Sequence, residues 1–222
     1  CYYKESHAGL VKVMSDEVME AAIGLAVRRT VAFRQRRLNI TFFGGEPLLR
    51  FDAIKRGVEY AKKVVSETAP QGFVVRFAVN TNGTLLNDEI VDFMKRENFQ
   101  IFLSLDGSAE RHNICRRQVN GEGSFDLIAP HIKTLVNTDV IVLAVITRDN
   151  IRGLCDSFRW LYAQGFKNIT SAVDFDGKWT EEELDALGAE YQKLAELWVQ
   201  KKKAGDVFYL GTIHDKEDCR GG

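Results

Sequence analysis

No apolar run in this 222-residue sequence approaches the roughly 20 residues that a membrane-spanning helix needs. The longest, such as residues 140–146, fall far short. No secretory leader precedes Cys1 and no initiator methionine stands there, which points to a chain truncated at its start. Charge of one sign is lacking too. The 30 basic and 31 acidic side chains leave a formal net charge of -1, which removes the electrostatic basis for nucleic acid or an anionic membrane as a partner. Cysteine is scarce: Cys1, Cys115, Cys155 and Cys219 lie far apart, which argues against a disulfide framework and for ligand or buried-thiol roles. There is no low-complexity linker, and no internal repeat beyond the alternation described next. A chain with 45% hydrophobic residues is long enough for one sizeable core, and a cytoplasmic enzyme is the expectation.

Short runs rich in β-branched and aromatic residues alternate with amphipathic stretches of helical period, the pattern of βα units around parallel strands. Strands are predicted at 38–43, 73–80, 100–105, 140–146 and 168–173. Helices are predicted near 15–34, 52–66, 87–96, 124–137, 151–164 and 180–203. Ser15 and Asn87 are placed to cap their helices, each followed by two acidic residues, and Gly165 follows Gln164 as a stop. The last helix is the most strongly written. Leu184, Leu187, Tyr191, Leu194 and Trp198 recur at helical spacing, Thr180 and Glu183 form a capping box, and Lys201, Lys202 and Lys203 sit at the negative end as a solvated terminus. Five strands and six helices, beginning with a helix, imply a missing first strand just upstream of Cys1. The fold class expected is α/β, a partial TIM-like (β/α)6 barrel, in which active sites gather at the C-terminal ends of the strands.

Residues with chemical potential fall at those ends. Gly44-Gly45-Glu46-Pro47 closes the first strand after Phe42-Phe43: two glycines let a ligand approach the backbone, the Glu supplies a carboxylate and Pro stiffens the exit. Asn80-Thr81-Asn82-Gly83 ends the next strand and reads either as a polar turn or as a ligand contact through Asn82. Ser104-Leu105-Asp106-Gly107 ends the third, with Arg116 twelve residues after Ser104 and Gly121 to Asp126 beyond it. His112 reads as a loop histidine making a structural hydrogen bond, and Cys115 and Cys155 as unligated buried thiols.

Cys1-Tyr2-Tyr3 followed about forty residues later by Phe42-Phe43-Gly44-Gly45-Glu46-Pro47 resembles the radical S-adenosylmethionine (SAM) family. In that family a CxxxCxxC loop binds three irons of a [4Fe-4S] cluster and leaves the fourth open. The resemblance makes Cys1 the third of those thiolates, so the first two lie outside this chain. It implies that Gly44, Gly45, Glu46 and Pro47 receive the amino group of SAM and that Ser104 lies on its ribose side. Arg116 is implied on the SAM carboxylate, which a fork-shaped cation suits geometrically. Asn82 would lie at the cavity rim, Asp106 and Tyr3 on the substrate side. The Ser-x-Asp-Gly segment and its Arg are similar to the sulfatase-maturase and peptide-maturase branch. Cys219 stands where a SPASM extension would supply its first auxiliary-cluster ligand, although Arg220 replaces the first Gly of the usual CGxG. Residues 1–205 are thus expected to be the core and 206–222 the start of the extension, in a segment truncated at both ends.

The activity implied is reductive cleavage of SAM and hydrogen abstraction from a peptide or protein, with a flavodoxin or ferredoxin as electron donor. Sulfatase maturases usually carry Gln where Phe43 stands, which favours maturation of ribosomally made peptides over sulfatases. Asn113 likewise stands where Asp usually follows the His. No catalytic acid or base is assignable. Two alternatives of other kinds stay open: a degenerate fold serving as a peptide-binding scaffold, and a cluster-free TIM-like metabolic enzyme. The second calls for a phosphate-binding glycine loop after the late strands, and none follows Val173.

Overall fold

Ser15 opens the first helix as its sequence requires: in the computed structural model its hydroxyl accepts the Val18 amide at 3.4 Å, and Asp16 and Glu17 fill the first turn of α1 (Asp16–Ala32). The structure describes residues 13–206 and 208–211; Cys1, Tyr3, His214 and Cys219 lie outside them. The described residues fall into two compact units, one within 1–81 and 85–101, the other within 82–84 and 102–222.

In the first unit, β1 (Arg37–Phe42) runs parallel to β2 (Val74–Thr81), with Arg37 opposite Val74 and Phe42 opposite Val79. A 3-10 turn at Pro47–Arg50 leads into α2 (Phe51–Thr68), and α3 (Asp88–Arg96) follows β2. Asn87 caps α3 by accepting the Ile90 amide at 2.9 Å. The core is aromatic. Phe42, Phe77 and Phe93 surround the buried Phe99 with ring centroids 6.0, 5.5 and 5.9 Å from it.

Past β3 (Gln100–Ser104), the second unit contains α4 (Ala109–Cys115), α5 (Phe125–Ile128), α6 (Ile132–Leu135), β4 (Asp139–Ile146), α7 (Leu154–Ala163), β5 (Asn168–Val173), α8 (Glu181–Lys203) and β6 (Tyr209–Leu210). Strand β4 buries Val140, Val142, Ala144 and Ile146, every second residue, and pairs in parallel with β5. Strand β5 in turn pairs in parallel with β6. The sheet order is β1-β2-β3-β4-β5-β6, the succession of a partial TIM-like (β/α)6 barrel.

Four features differ from the sequence-based expectations. Helix α4 stands where no helix was expected. The helix expected at 124–137 is two short helices joined by a 3-10 turn at Ala129–His131, because Pro130 lacks an amide hydrogen and crowds the carbonyl a turn earlier. Helix α7 begins at Leu154, not 151, since Gly153 stands at φ +88° before it. The sixth described strand is Tyr209–Leu210, after α8, too short for any periodicity to reveal. It lies beyond residue 205. The caps are as expected: Thr180 and Glu183 form the full capping box of α8, and Gly165, at φ +104°, follows α7.

Candidate functional site

At the end of β1 the chain bends through the exposed Phe43, Gly44 and Gly45. Glu46 then turns inward. Its Oε1 accepts the Leu48 amide at 3.1 Å, capping the 3-10 turn that Pro47 starts, and the buried Thr81 hydroxyl at the end of β2 donates to the same oxygen at 2.8 Å. Gly44 and Gly45 are a different matter. A Cβ added to either would meet no atom of the described residues within 4 Å, and neither has a positive φ. The described residues around them do not require glycine. An open strip of backbone without side chains can be reached by a ligand, and its carbonyls can accept from an ammonium group, so these residues fit the amino end of SAM.

In the second unit two of the predicted residues, Asp106 and Arg116, form one hydrogen-bonded cluster with His112 and Ser124 after β3. Asp106 is 5% exposed. Arg116 grips it with both prongs, Nε to Oδ2 at 2.6 Å and Nη2 to Oδ1 at 3.0 Å, and the Val145 amide donates to Oδ1 at 3.0 Å. The Asp106 amide donates to Nδ1 of His112 at 3.3 Å, and Nε2 of the fully buried His112 lies 3.0 Å from the Ser124 hydroxyl. That hydroxyl donates to the Arg116 carbonyl at 3.1 Å. Burial holds the His112 pKa at about 4, below its ordinary 6.5, so the ring is neutral at pH 7.

Local sequence explains the cluster. Residues 116–124 form a hairpin, with Arg117 bridged to Gly123 and Gly121 at φ +88° in its turn. A side chain on Gly123 would run into Asn113, whose Oδ1 accepts the Phe125 amide at 3.1 Å. That role needs only an acceptor oxygen, which Asn113 supplies as well as an Asp would.

Not every expected residue faces outward. Asp106, assigned from sequence to the substrate side, is an internal anchor whose two oxygens are taken by Arg116 and Val145. Both Arg116 prongs expected on a carboxylate ligand close on Asp106 instead, though the Arg116 side chain keeps 17% exposure. Asn82 makes a turn of its own: Oδ1 accepts the Thr84 amide at 2.9 Å and the Thr84 hydroxyl at 2.8 Å. Gly83 beside it stands at φ +76°, where a Cβ would lie 2.8 Å from Leu103. Ser104 is half-buried at the end of β3. His112, on α4 and not in a loop, makes the structural hydrogen bonds expected of it. Cys115 shares a hydrogen bond with the Thr147 hydroxyl at 3.2 Å, and burial raises both its thiol and that of Cys155 above the ordinary value. Sequence reasoning missed the Asp106–Arg116 pair and the Ser124 link, because an acid and a base ten residues apart share no period. The Glu46 cap was legible in principle, since an acceptor just before Pro is a helix-start signal.

Parallel strands alternating with helices define an α/β fold of the partial TIM-barrel type. The family profile described as the radical SAM superfamily matches residues 1–161, and the chain belongs to that superfamily. Similar proteins include a cysteine-type anaerobic sulfatase-maturating enzyme of Clostridium novyi, 30% identical over 141 residues, or 61% of this chain and 37% of the relative. A serine-type anaerobic sulfatase-maturating enzyme of Bacteroides thetaiotaomicron is 29% identical over 180 residues, 78% of this chain and 40% of the relative. The chain thus spans about two fifths of the length of such relatives. A solved structure, native anSMEcpe with bound AdoMet and Kp18Cys peptide, shares the fold with a TM-score of 0.80 at 18% identity, over 95% of this chain and 58% of its own. Among the described residues no helix is long and apolar enough to cross a membrane, and no group of three His, Cys, Asp or Glu could hold a metal ion.

Proposed function

We propose that this chain is the SAM-binding core of a cytoplasmic radical SAM enzyme that abstracts a hydrogen from a peptide or protein. The observation that carries the reading is the open backbone at Gly44 and Gly45, glycines that the described residues around them do not demand. When bound, a [4Fe-4S] cluster would supply the electron for reductive cleavage of SAM. Cys1 would be one of its ligands. Gly44, Gly45, Glu46 and Pro47 would receive the SAM amino group, Ser104 its ribose and Arg116 its carboxylate, through N–H groups that Asp106 leaves unused. Asn82 and Tyr3 would border the substrate. Residues 1–205 would form the core and 206–222 the start of a SPASM-like extension with Cys219 as an auxiliary-cluster ligand. A flavodoxin or ferredoxin would donate the electron.

Two substrates remain in view. The exposed Phe43, in place of the usual Gln, favours maturation of ribosomal peptides. Relatives named sulfatase-maturating enzymes favour a sulfatase cysteine or serine. Anaerobic incubation of the full-length protein with a sulfatase-derived peptide, read by mass spectrometry, separates them: modification assigns the sulfatase reading.

The SAM site has its own test. Gly45→Ala should leave the unfolding free energy within about 0.5 kcal/mol of the parent, because the added Cβ meets no atom of the described residues, and Gly45→Val enlarges the side chain at the same place. In the full-length protein both should weaken SAM binding measured by calorimetry, the Val variant more. SAM affinity unchanged by Val would sink the assignment.

A further inference from the structure

Arg116 is held at both ends by one closed ring of hydrogen bonds. Its guanidinium lies on the Asp106 carboxylate; the Asp106 amide donates to His112 Nδ1; His112 Nε2 meets the Ser124 hydroxyl; that hydroxyl donates back to the Arg116 carbonyl. Only one proton arrangement satisfies every link. Because Nδ1 accepts, the imidazole proton sits on Nε2 and is donated to the Ser124 oxygen, which frees the Ser124 proton for the carbonyl. A second contact closes the same segment, the Ser124 amide donating to the Arg116 carbonyl at 3.2 Å.

The ring uses part of the guanidinium and leaves the rest. Of the five N–H groups an arginine carries, Asp106 takes one on Nε and one on Nη2. The outer edge, Nη1 with the second Nη2 hydrogen, still offers a two-pronged donor. Asp106 is only 3% exposed by its side chain while Arg116 keeps 17%, so the pair is buried on the acid's side. An arginine whose backbone and inner edge are both fixed loses little further freedom when an anion docks on its outer edge, which raises affinity without adding a contact.

We infer that His112 and Ser124 are positioning residues that aim the outer edge of Arg116 at an anionic ligand, the carboxylate of SAM. The inference rests on the SAM reading above and adds two residues that touch neither SAM nor substrate. They act through Arg116 alone, and this separates the proposal from a general role in folding.

A double-mutant cycle in the full-length, cluster-reconstituted protein tests it, with SAM affinity read by calorimetry. Arg116→Ala is expected to weaken binding roughly 10- to 100-fold. Ser124→Ala, with Arg116 intact, is expected to weaken it roughly 3- to 10-fold, and Ser124→Thr, which keeps the hydroxyl, to restore most of the loss. In the Arg116→Ala background Ser124→Ala should change nothing further. Additive losses would overturn the inference, since Ser124 would then act independently of Arg116. Arg116→Ala without effect would instead remove the carboxylate assignment on which the inference rests. Nitrogen-15 NMR of the unmutated protein gives a readout independent of SAM: His112 should be neutral, protonated on Nε2, and should not titrate between about pH 7 and 5. Titration near 6.5, or a proton on Nδ1, would overturn the ring.

Discussion

His112 makes the protein acid-sensitive in a predictable direction. Its folded pKa of about 4 lies below the ordinary 6.5 because burial penalises the imidazolium. The unfolded chain therefore binds the proton first as pH falls, and the stability that neutral His112 contributes is full above about pH 6.5 and lost between there and about pH 4. Going from about pH 7 to pH 5 this one residue should cost on the order of 2 kcal/mol. Urea unfolding at the two pH values should show that loss in the parent, and His112→Asn should shrink it. An equal loss in both would mean that other groups carry the acid limb.

Among the elements, α7 depends on a residue from α8 for its start. Gly153 stands at its N-terminal boundary and offers no side chain, and the Cys155 amide is instead accepted by Glu190 at 2.9 Å. Glu190 is 7% exposed. Its burial alone would raise the carboxyl pKa, but the Lys193 ammonium at 2.7 Å and the Cys155 amide outweigh this and hold it below the ordinary range. A charge-assisted cap of this kind also faces the positive end of the helix. Glu190→Gln should lower stability by about 1–2 kcal/mol, and hydrogen exchange should quicken first at the amides opening α7. Uniform quickening across both units would argue against a local cap.

For the molecule as a whole, the proposed extension makes a claim about metal content. In the full-length protein Cys219→Ala should reduce iron per chain by the share of an auxiliary cluster while leaving the SAM-cleaving cluster in place, since the two sites would use separate ligands. Deoxyadenosine formation should fall without vanishing, and peptide modification should be lost. An iron count equal to the parent's would make Cys219 incidental and withdraw the SPASM assignment with it.

Alternation and capping were written locally, and so the sequence by itself determined the βα succession, the starts at Ser15, Asn87 and Thr180, and the glycine turn after β1. Each of those signals is complete within a few residues. The sequence also named Ser104, Asp106 and Arg116 as neighbours in function through their resemblance to related chains. Only the tertiary structure decided what they do to one another. Asp106 turned inward onto Arg116, Glu46 joined the Thr81 hydroxyl, and Glu190 crossed from α8 to cap α7, all at separations where no period operates. The physical reason is common to the three. A carboxylate leaves water only where donors from distant parts of the chain converge on it, and convergence is a property of the fold, not of any stretch of sequence.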